Sequence, residues 1–422
     1  MVGQKLKEAF ALADEKRDEL IRLLRGIVSI DTCVPPGRNY DVLVDYLEPK
    51  FIELGFETER VIIPEEKIRK IPLPLEGPRV NLVATKNVNK PPVSIYAHMD
   101  TVPIEQKWSV DPFAGVVKDG KIYGRGVLDM KGSIAALLAA LQIIQELDLE
   151  LSYSPVCLMC TDEEIGVYPG ILHLALQGYV KGHILCLELG SQEAIVPAGA
   201  LGKVDVTITV TGRSCHSGMS YLGINAVEEI VPILEELIKL KREVEKRESR
   251  IPAFPIPEAP SKQLVPRFNI NIIRGGVKSN IVPSECTVVI DRRYIIEEKF
   301  EDIVAEIEGA VERGRKRSKA IDVKTDYLHV YPALEIDPNS VYVRKMREAL
   351  KAVKGYKDED FVVGGISAST DMAFVAQVLK TDKFACIGPF RADNKSAHGA
   401  DEYVNINDLI SMVKELIYYL TA

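Results

Sequence analysis

Cysteine is scarce in this chain: seven residues in 422, odd in number and scattered. That excludes the disulfide framework of a small secreted domain, and reduced thiols in a cytoplasmic protein are the expectation. Cys157 and Cys160 have C-x-x-C spacing, but no second pair stands at zinc-ribbon distance. They fall in an apolar run and read as core packing. No apolar stretch approaches the ~20 residues that a membrane-spanning helix needs. The first residues are charged and helix-forming rather than basic and then apolar, so no signal peptide is expected. Positive charge is also short: 53 Lys and Arg stand against 61 Asp and Glu, for a net charge of −8. A general nucleic-acid binder would show a basic face, so that class is set aside. The acid balance suits a protein gathering carboxylates around cations, and it suits an ordinary surface equally.

What is present is the composition of a globular protein, 46% hydrophobic and 27% charged, in a chain long enough for two domains. Residues 4–26 have helical apolar spacing (Leu6, Phe10, Leu20, Leu24), and 40–54 read as a second helix ending at Gly55. Strands are expected at 56–63, 80–85, 92–96, 153–160 and 183–187, with an Ala/Leu-rich helix over 133–147. A hairpin is expected around Asp119-Gly120. Strand–helix–strand alternation points to an α/β fold with a mixed sheet between helices. The texture changes near Ala200. Alternating strands at 204–210, 268–273, 286–291 and 321–330 frame helices over 225–246 and 296–315, and a proline-rich loop covers 249–266. The order β-α-β-β-α-β is that of a ferredoxin-like unit. Beyond Pro332 the first texture resumes, with helices over 341–353, 369–379 and 404–420. The expected organisation is therefore a discontinuous catalytic, metal-binding domain (1–200 and 332–422) with a ferredoxin-like α+β domain (201–331) inserted, whose free edge is available for dimerisation.

The residues able to do chemistry collect at the ends of these elements. His98 closes the run Pro92–Tyr96, and Asp100 follows it closely enough to hold the ring's other nitrogen. Asp129 precedes the Ala/Leu helix, Glu163 and Glu164 follow a strand, Glu188 ends another, and His398 lies in a late loop. The carboxyl ends of strands in an α/β sheet are where ligands bind. Imidazole and carboxylate donors without thiolate suit zinc, cobalt or manganese. His98, Glu188, Glu164 and His398 supply two terminal ligands to each of two ions, with Asp129 as a bridge. Of the adjacent glutamates, one binds metal while the other faces the metal-activated water as its proton acceptor. Singly each residue has a plainer reading: a structural histidine, a charge at a helix N-terminus, a solvated turn. Their joint placement is what points to a metal site. His173, His183 and His329 read as structural.

HMDTVP (98–103), GRGVLDMKG (124–132) and TDEEIG (161–166), supported by RSCHSG, SNIVPSE, DRRY and SAHGADE, appear in order along nearly the whole chain. In these the chain resembles the dinuclear zinc amidohydrolase and peptidase family that includes acetylornithine deacetylase, succinyl-diaminopimelate desuccinylase, aminoacylase and glutamate carboxypeptidase. The resemblance implies a zinc domain interrupted by a ferredoxin-like lid and dimerisation domain. It implies that His98 and Glu188 hold one zinc, Glu164 and His398 the other, that Asp129 bridges and that Asp100 orients His98. Glu163 becomes the general base and acid, and the Asp129–Met130 peptide is cis. His216 resembles a lid histidine that reaches a neighbouring active site to stabilise the oxyanion. Asn280 and Arg293 resemble lid contacts to substrate, the arginine gripping a carboxylate, with Arg292 able to exchange roles. Gly364, Gly365, Ser369 and Thr370 lie where the family builds its carboxylate pocket.

The function expected is a cytoplasmic, homodimeric, metal-dependent hydrolase with two divalent ions, zinc first and cobalt or manganese after it. It cleaves the amide bond of N-acyl amino acids, in the manner of acetylornithine deacetylase or succinyl-diaminopimelate desuccinylase. A di- or tripeptidase or a carboxypeptidase of the same family is the alternative. A catalytically dead binding protein would have lost a ligand or the base, and none is missing here. No nucleic acid or membrane partner is expected.

Overall fold

The computed structural model describes residues 2–255 and 261–422; residues 256–260 of the loop expected over 249–266 lie outside the described part. The chain separates into two compact units. The first comprises Met1–Ala198, Ile336–Gly364 and Phe374–Ala422; the second comprises Gly199–Glu335 together with Gly365–Ala373. Gly364 and Gly365 thus fall on either side of the division.

The first unit is built on a six-stranded mixed sheet in the order Glu57–Ile62, Val80–Thr85, Ser154–Cys160, Pro92–His98, His183–Cys186 and Phe384–Cys386. The first two strands pair antiparallel and the second meets Ser154–Cys160 antiparallel; the last four run parallel. Pro92–His98 and Ser154–Cys160 are buried on both faces, which is why they read as continuous apolar runs without alternation. Helix Lys131–Glu146 packs against Ile406–Thr421, Arg17–Val28 and strand Pro92–His98. Its small alanines and buried leucines let neighbours approach closely. A Cβ on Gly132 would lie 2.2 Å from the Val127 carbonyl oxygen, so only glycine fits there. The Asp119-Gly120 turn joins Val116–Lys118 to Lys121–Tyr123 with both residues at positive φ (51° and 74°), the conformation of the tight hairpin expected. Lys121–Tyr123 pairs in turn with Tyr403–Asn405, so the closing helix begins at Ile406 and a short strand occupies its expected start.

The second unit holds a four-stranded antiparallel sheet in the order Arg267–Gly275, Glu285–Tyr294, Gly202–Thr211 and Asp322–Tyr331, covered by helices Val231–Val244 and Phe300–Arg315. This is the ferredoxin-like arrangement. Val204, Val206, Ile208 and Val210 alternate inward and meet Ile233, Leu237, Ile303 and Ile307 from the helices. The helix expected over 225–246 is divided into Ala226–Glu229 and Val231–Val244. Pro232 has no N–H to continue the ladder, so it stands in the first turn of the second piece.

Candidate metal centre

Segments far apart in the chain deliver their side chains to one end of the first unit's parallel strands. His98 is the last residue of Pro92–His98, level with Cys160 of the neighbouring strand. That neighbour leads into a single 3-10 turn, Glu163–Ile165, entered through Asp162 in the left-handed region (φ 63°). Glu163 and Glu164 are therefore presented by a tight turn, not by the extended strand end expected. An aspartate tolerates this conformation better than most residues. Glu188 follows strand His183–Cys186. Asp129 precedes helix Lys131–Glu146, and its peptide bond to Met130 is cis. His398, also at positive φ (63°), lies in the loop before Tyr403–Asn405.

Asp129 stands between two imidazoles. Its Oδ1 lies 3.2 Å from His98 Nε2 and its Oδ2 lies 3.2 Å from His398 Nε2. Glu164 Oε2 is 3.1 Å from His398 Nε2. Donor atoms of His98, Asp129 and Glu164 all lie within 4.8 Å of one another, as do those of His98, Glu163 and Glu188. Two donors on one tetrahedral zinc stand roughly 3.3 Å apart, so these separations are those of ligand edges.

The protonation pattern argues for a cation. His98 Nδ1 is 3.1 Å from the Asp100 carbonyl oxygen, which can only accept, so Nδ1 carries the proton. Nε2 of the neutral ring then turns a lone pair toward the Asp129 carboxylate, a repulsive contact unless a cation or a second proton intervenes. Glu164 Oε1 is buried without a hydrogen-bond partner among the described residues, and the ion-pair partners of Asp129 and Glu164 there are histidines only. Burying carboxylates this way is costly without positive charge. The groups respond accordingly. Burial alone would lower the His98 imidazole, but the hydrogen bond to Asp129 and the charges of Asp100, Asp129 and Glu163 raise it well above its ordinary value. Hydrogen bonds to Asp129 and Glu164 push His398 up to about 11. Burial and the Asp129 charge push Glu164 up, while the two histidines hold Asp129 well below the usual carboxylate range against the effect of burial. A nitrogen–oxygen donor set without thiolate, with a buried oxygen left over, fits hard or borderline divalent ions.

Three supports surround the cluster. Asp100 contacts the His98 ring through its backbone carbonyl, its carboxylate Oδ1 standing 3.7 Å from Nδ1, while Oδ2 accepts from the Glu164 N–H at 2.9 Å. Asp162 accepts from Tyr40 Oη (2.9 Å) and Arg79 Nε (3.2 Å), in a fully buried triad beneath the Glu163 turn. Glu402 accepts from the N–H groups of Leu128 (2.9 Å) and Asp129 (3.2 Å) and pairs with Arg125 at 2.6 Å. Arg79 carries no sequence signal of such a role, while Arg125, Asp162 and Glu402 lie inside GRGVLDMKG, TDEEIG and SAHGADE. A cleft lined by Val102, Pro103, Gln106 and Ala400 opens beside His398.

In the second unit, His216 and Asn280 lie side by side: the Ser217 N–H donates to the Asn280 carbonyl at 3.0 Å. His216 Nδ1 accepts from the Gly218 N–H at 3.1 Å, which leaves Nε2 as the protonated nitrogen of the neutral ring. Arg293 bonds Asp291 (2.9 Å) and Ser369 Oγ (3.0 Å). Arg292 points to the other face of its strand, buried against Glu298, so it is not interchangeable with Arg293. Thr370 is buried, and the Gly365 N–H donates to the Pro252 carbonyl at 2.7 Å. His173, His183 and His329 each face a tyrosine hydroxyl, of Tyr168, Tyr419 and Tyr294.

Imidazole and carboxylate donors gathered at the strand ends of an α/β sheet, with a further carboxylate among them, define a metal-dependent hydrolase. The chain belongs to peptidase family M20/M25/M40, whose model matches residues 94–422. It is 24% identical over 433 residues to the N-formyl-4-amino-5-aminomethyl-2-methylpyrimidine deformylase of Bacillus subtilis (strain 168), covering 97% of this chain and 95% of the relative. It is 26% identical over 393 residues to an acetylornithine deacetylase of Photorhabdus laumondii, covering 92% of each. Among solved structures it shares its fold with the di-peptidase Dug1p from Saccharomyces cerevisiae (TM-score 0.80, 16% identity, 99% of this chain and 98% of that one). It shares it also with the metallo-carboxypeptidase Sso-CP2 from Sulfolobus solfataricus (TM-score 0.78, 17% identity, 96% and 98%). No helix among the described residues is long and apolar enough to cross a membrane.

Proposed function

We propose that the protein hydrolyses the amide bond of an N-acyl amino acid or a closely related small acyl amide, using two divalent ions, zinc foremost. His98 and Glu188 would hold one ion, Glu164 and His398 the other, with Asp129 between them. The observation that carries this is Asp129, which turns one carboxylate oxygen to each of two histidine Nε2 atoms at 3.2 Å. Ions bound there supply Lewis acidity toward the amide carbonyl and toward water. Glu163 accepts the proton of the attacking water and returns it to the leaving nitrogen as the C–N bond breaks. Asp100 keeps the His98 proton on Nδ1. His216, from a second copy of the chain, donates Nε2–H to the developing oxyanion. Arg293, Asn280, Gly364, Gly365, Ser369 and Thr370 receive the substrate's carboxylate end.

The homodimer is proposed to form through the second unit. Arg267–Gly275 is an edge strand of its sheet and exposes Ile272 and Ile273, and Val277 just beyond it is 90% exposed. All seven cysteines are free, which suits the cytoplasm. The test is a panel of N-acetyl-amino acids, N-succinyl-amino acids and dipeptides, assayed with metal-free and zinc-loaded protein. Zinc-dependent release of amine from the acyl amino acids is expected, and preferential cleavage of dipeptides would move the assignment to a peptidase. Full activity in metal-free protein, or no hydrolysis of any member by loaded protein, would refute the proposal.

A further inference from the structure

We propose that the buried Arg125–Glu402 pair is a positioning device that holds His398 at ligand distance from Asp129, so that the ion on the His398 side depends on it. The inference rests on the two-ion reading above. Arg125 and Glu402 are 2% and 1% exposed. Glu402 Oε2 takes the Arg125 guanidinium at 2.6 Å, while Oε1 accepts from the backbone N–H groups of Leu128 and Asp129. The same guanidinium donates from its other terminal nitrogen to the His398 carbonyl at 3.3 Å. One ion pair therefore grips the backbone on both sides of the 3.2 Å contact between His398 Nε2 and Asp129 Oδ2.

His398 needs such a grip more than the other donors do. His98 ends a buried central strand, Asp129 abuts a long helix, and Glu164 belongs to a hydrogen-bonded turn. His398 is on an irregular loop, with its side chain 54% exposed. It and Asp401 are non-glycine residues at positive φ (63° and 55°). That conformation is disfavoured for a residue with a side chain and persists only where the surroundings enforce it. The Arg125 bond to the His398 carbonyl and the Ser109 N–H on Asp401 at 2.8 Å act at these two residues, while Asn394, Ser396 and Tyr403 close the rest of the loop on itself. Because both charges are buried, loss of either leaves the other uncompensated, so the perturbation at the His398 carbonyl exceeds the loss of one bond.

The test titrates metal-free parent, His398→Ala, Glu402→Gln, Arg125→Lys and Glu415→Gln proteins with zinc against a competing chelator, with circular dichroism reporting the fold. Glu415 is a fully buried carboxyl in the same unit, bonded to Gln192 and outside the Arg125–Glu402 network, so it controls for general loosening. The parent is expected to bind two zinc ions and His398→Ala one. Glu402→Gln should weaken the step that His398→Ala abolishes at least tenfold and change the other less than threefold. Arg125→Lys, which keeps the cation but loses the fork, should fall between, and it serves if Glu402→Gln does not fold. Glu415→Gln should leave both steps unchanged. Two unaltered steps in folded Glu402→Gln and Arg125→Lys, or equal weakening of both, would overturn the pair's role alone. Fewer than two zinc ions in the parent would overturn the two-ion reading itself.

Discussion

Glu163→Gln separates the two roles that geometry offers this side chain. A Glu163 oxygen lies within 4.8 Å of the donor atoms of His98 and Glu188, and the residue is 5% exposed, so it is placed either to hold an ion or to move a proton. As proton acceptor it should contribute about 10²–10⁴-fold to the chemical step, or about 2.7–5.4 kcal/mol of barrier. Glutamine has the same length and keeps one oxygen, but it cannot take a proton at neutral pH. The variant should therefore lose about 10²–10⁴ in kcat, with KM little changed and the full metal complement. Glu163→Asp withdraws the carboxylate by about one bond, and a misplacement of about 1 Å can cost about 10². Initial rates on an N-acyl amino acid, with zinc content measured on the same samples, decide the matter. Loss of one zinc equivalent from Glu163→Gln would make the residue a ligand and refute the assignment. A rate within tenfold of the parent would place the base elsewhere.

Other consequences follow from the surroundings. Tyr40→Phe removes one buried hydrogen bond to the Asp162 carboxylate and should cost about 2 kcal/mol; Asp162→Ala strands the buried Arg79 and should cost about 3–5 kcal/mol. Urea unfolding measures both, and two losses below 0.5 kcal/mol, well under the ~1 kcal/mol of an ordinary hydrogen bond, would contradict the triad's role. Burial, with Lys345 nearby, pushes the His183 imidazole down to about 3. An unfolded histidine titrates near 6.5, so the unfolded state binds the extra proton and the contribution is complete above that pH and lost below it. Relative to His183→Phe, the parent should lose about 2 kcal/mol of stability between pH 7.5 and 5; a flat difference would show the ring is not held neutral. Ile273→Lys with Val277→Lys should turn a light-scattering dimer into a monomer at micromolar concentration, and an unchanged dimer would move the interface off this edge.

Much of the fold was legible because local signals carried it. Pro92–His98 is apolar up to a histidine, Asp119-Gly120 has the chemistry of its turn, and Gly202–Thr211 alternates residue by residue. The failures have physical causes. The helical spacing over 225–246 runs on through Pro232, which divides the helix, and Pro197 and Gly199 mask the strand Ile195–Ala200. A short edge pairing with Lys121–Tyr123 leaves no periodic trace, so Val404 falls within the helical spacing over 404–420 although it lies in a strand. At the site, residue types point to the proposed donors, but their supports leave no signal in the sequence. Arg125 and Glu402 meet across 277 positions, and Tyr40 and Asp162 across 122, separations that only the folded sheet closes. The choice between Arg292 and Arg293 depended on which face of the strand is the core, which the sequence order alone leaves open.

The central claim is a pair of cations flanking one carboxylate, and anomalous diffraction at the zinc edge from zinc-loaded crystals tests it most directly. Two peaks are predicted, ~3.5–4 Å apart, one against His98 and Glu188, the other against Glu164 and His398, with Asp129 touching both. A single peak, or peaks that leave Asp129 or His398 uncoordinated, would contradict the account.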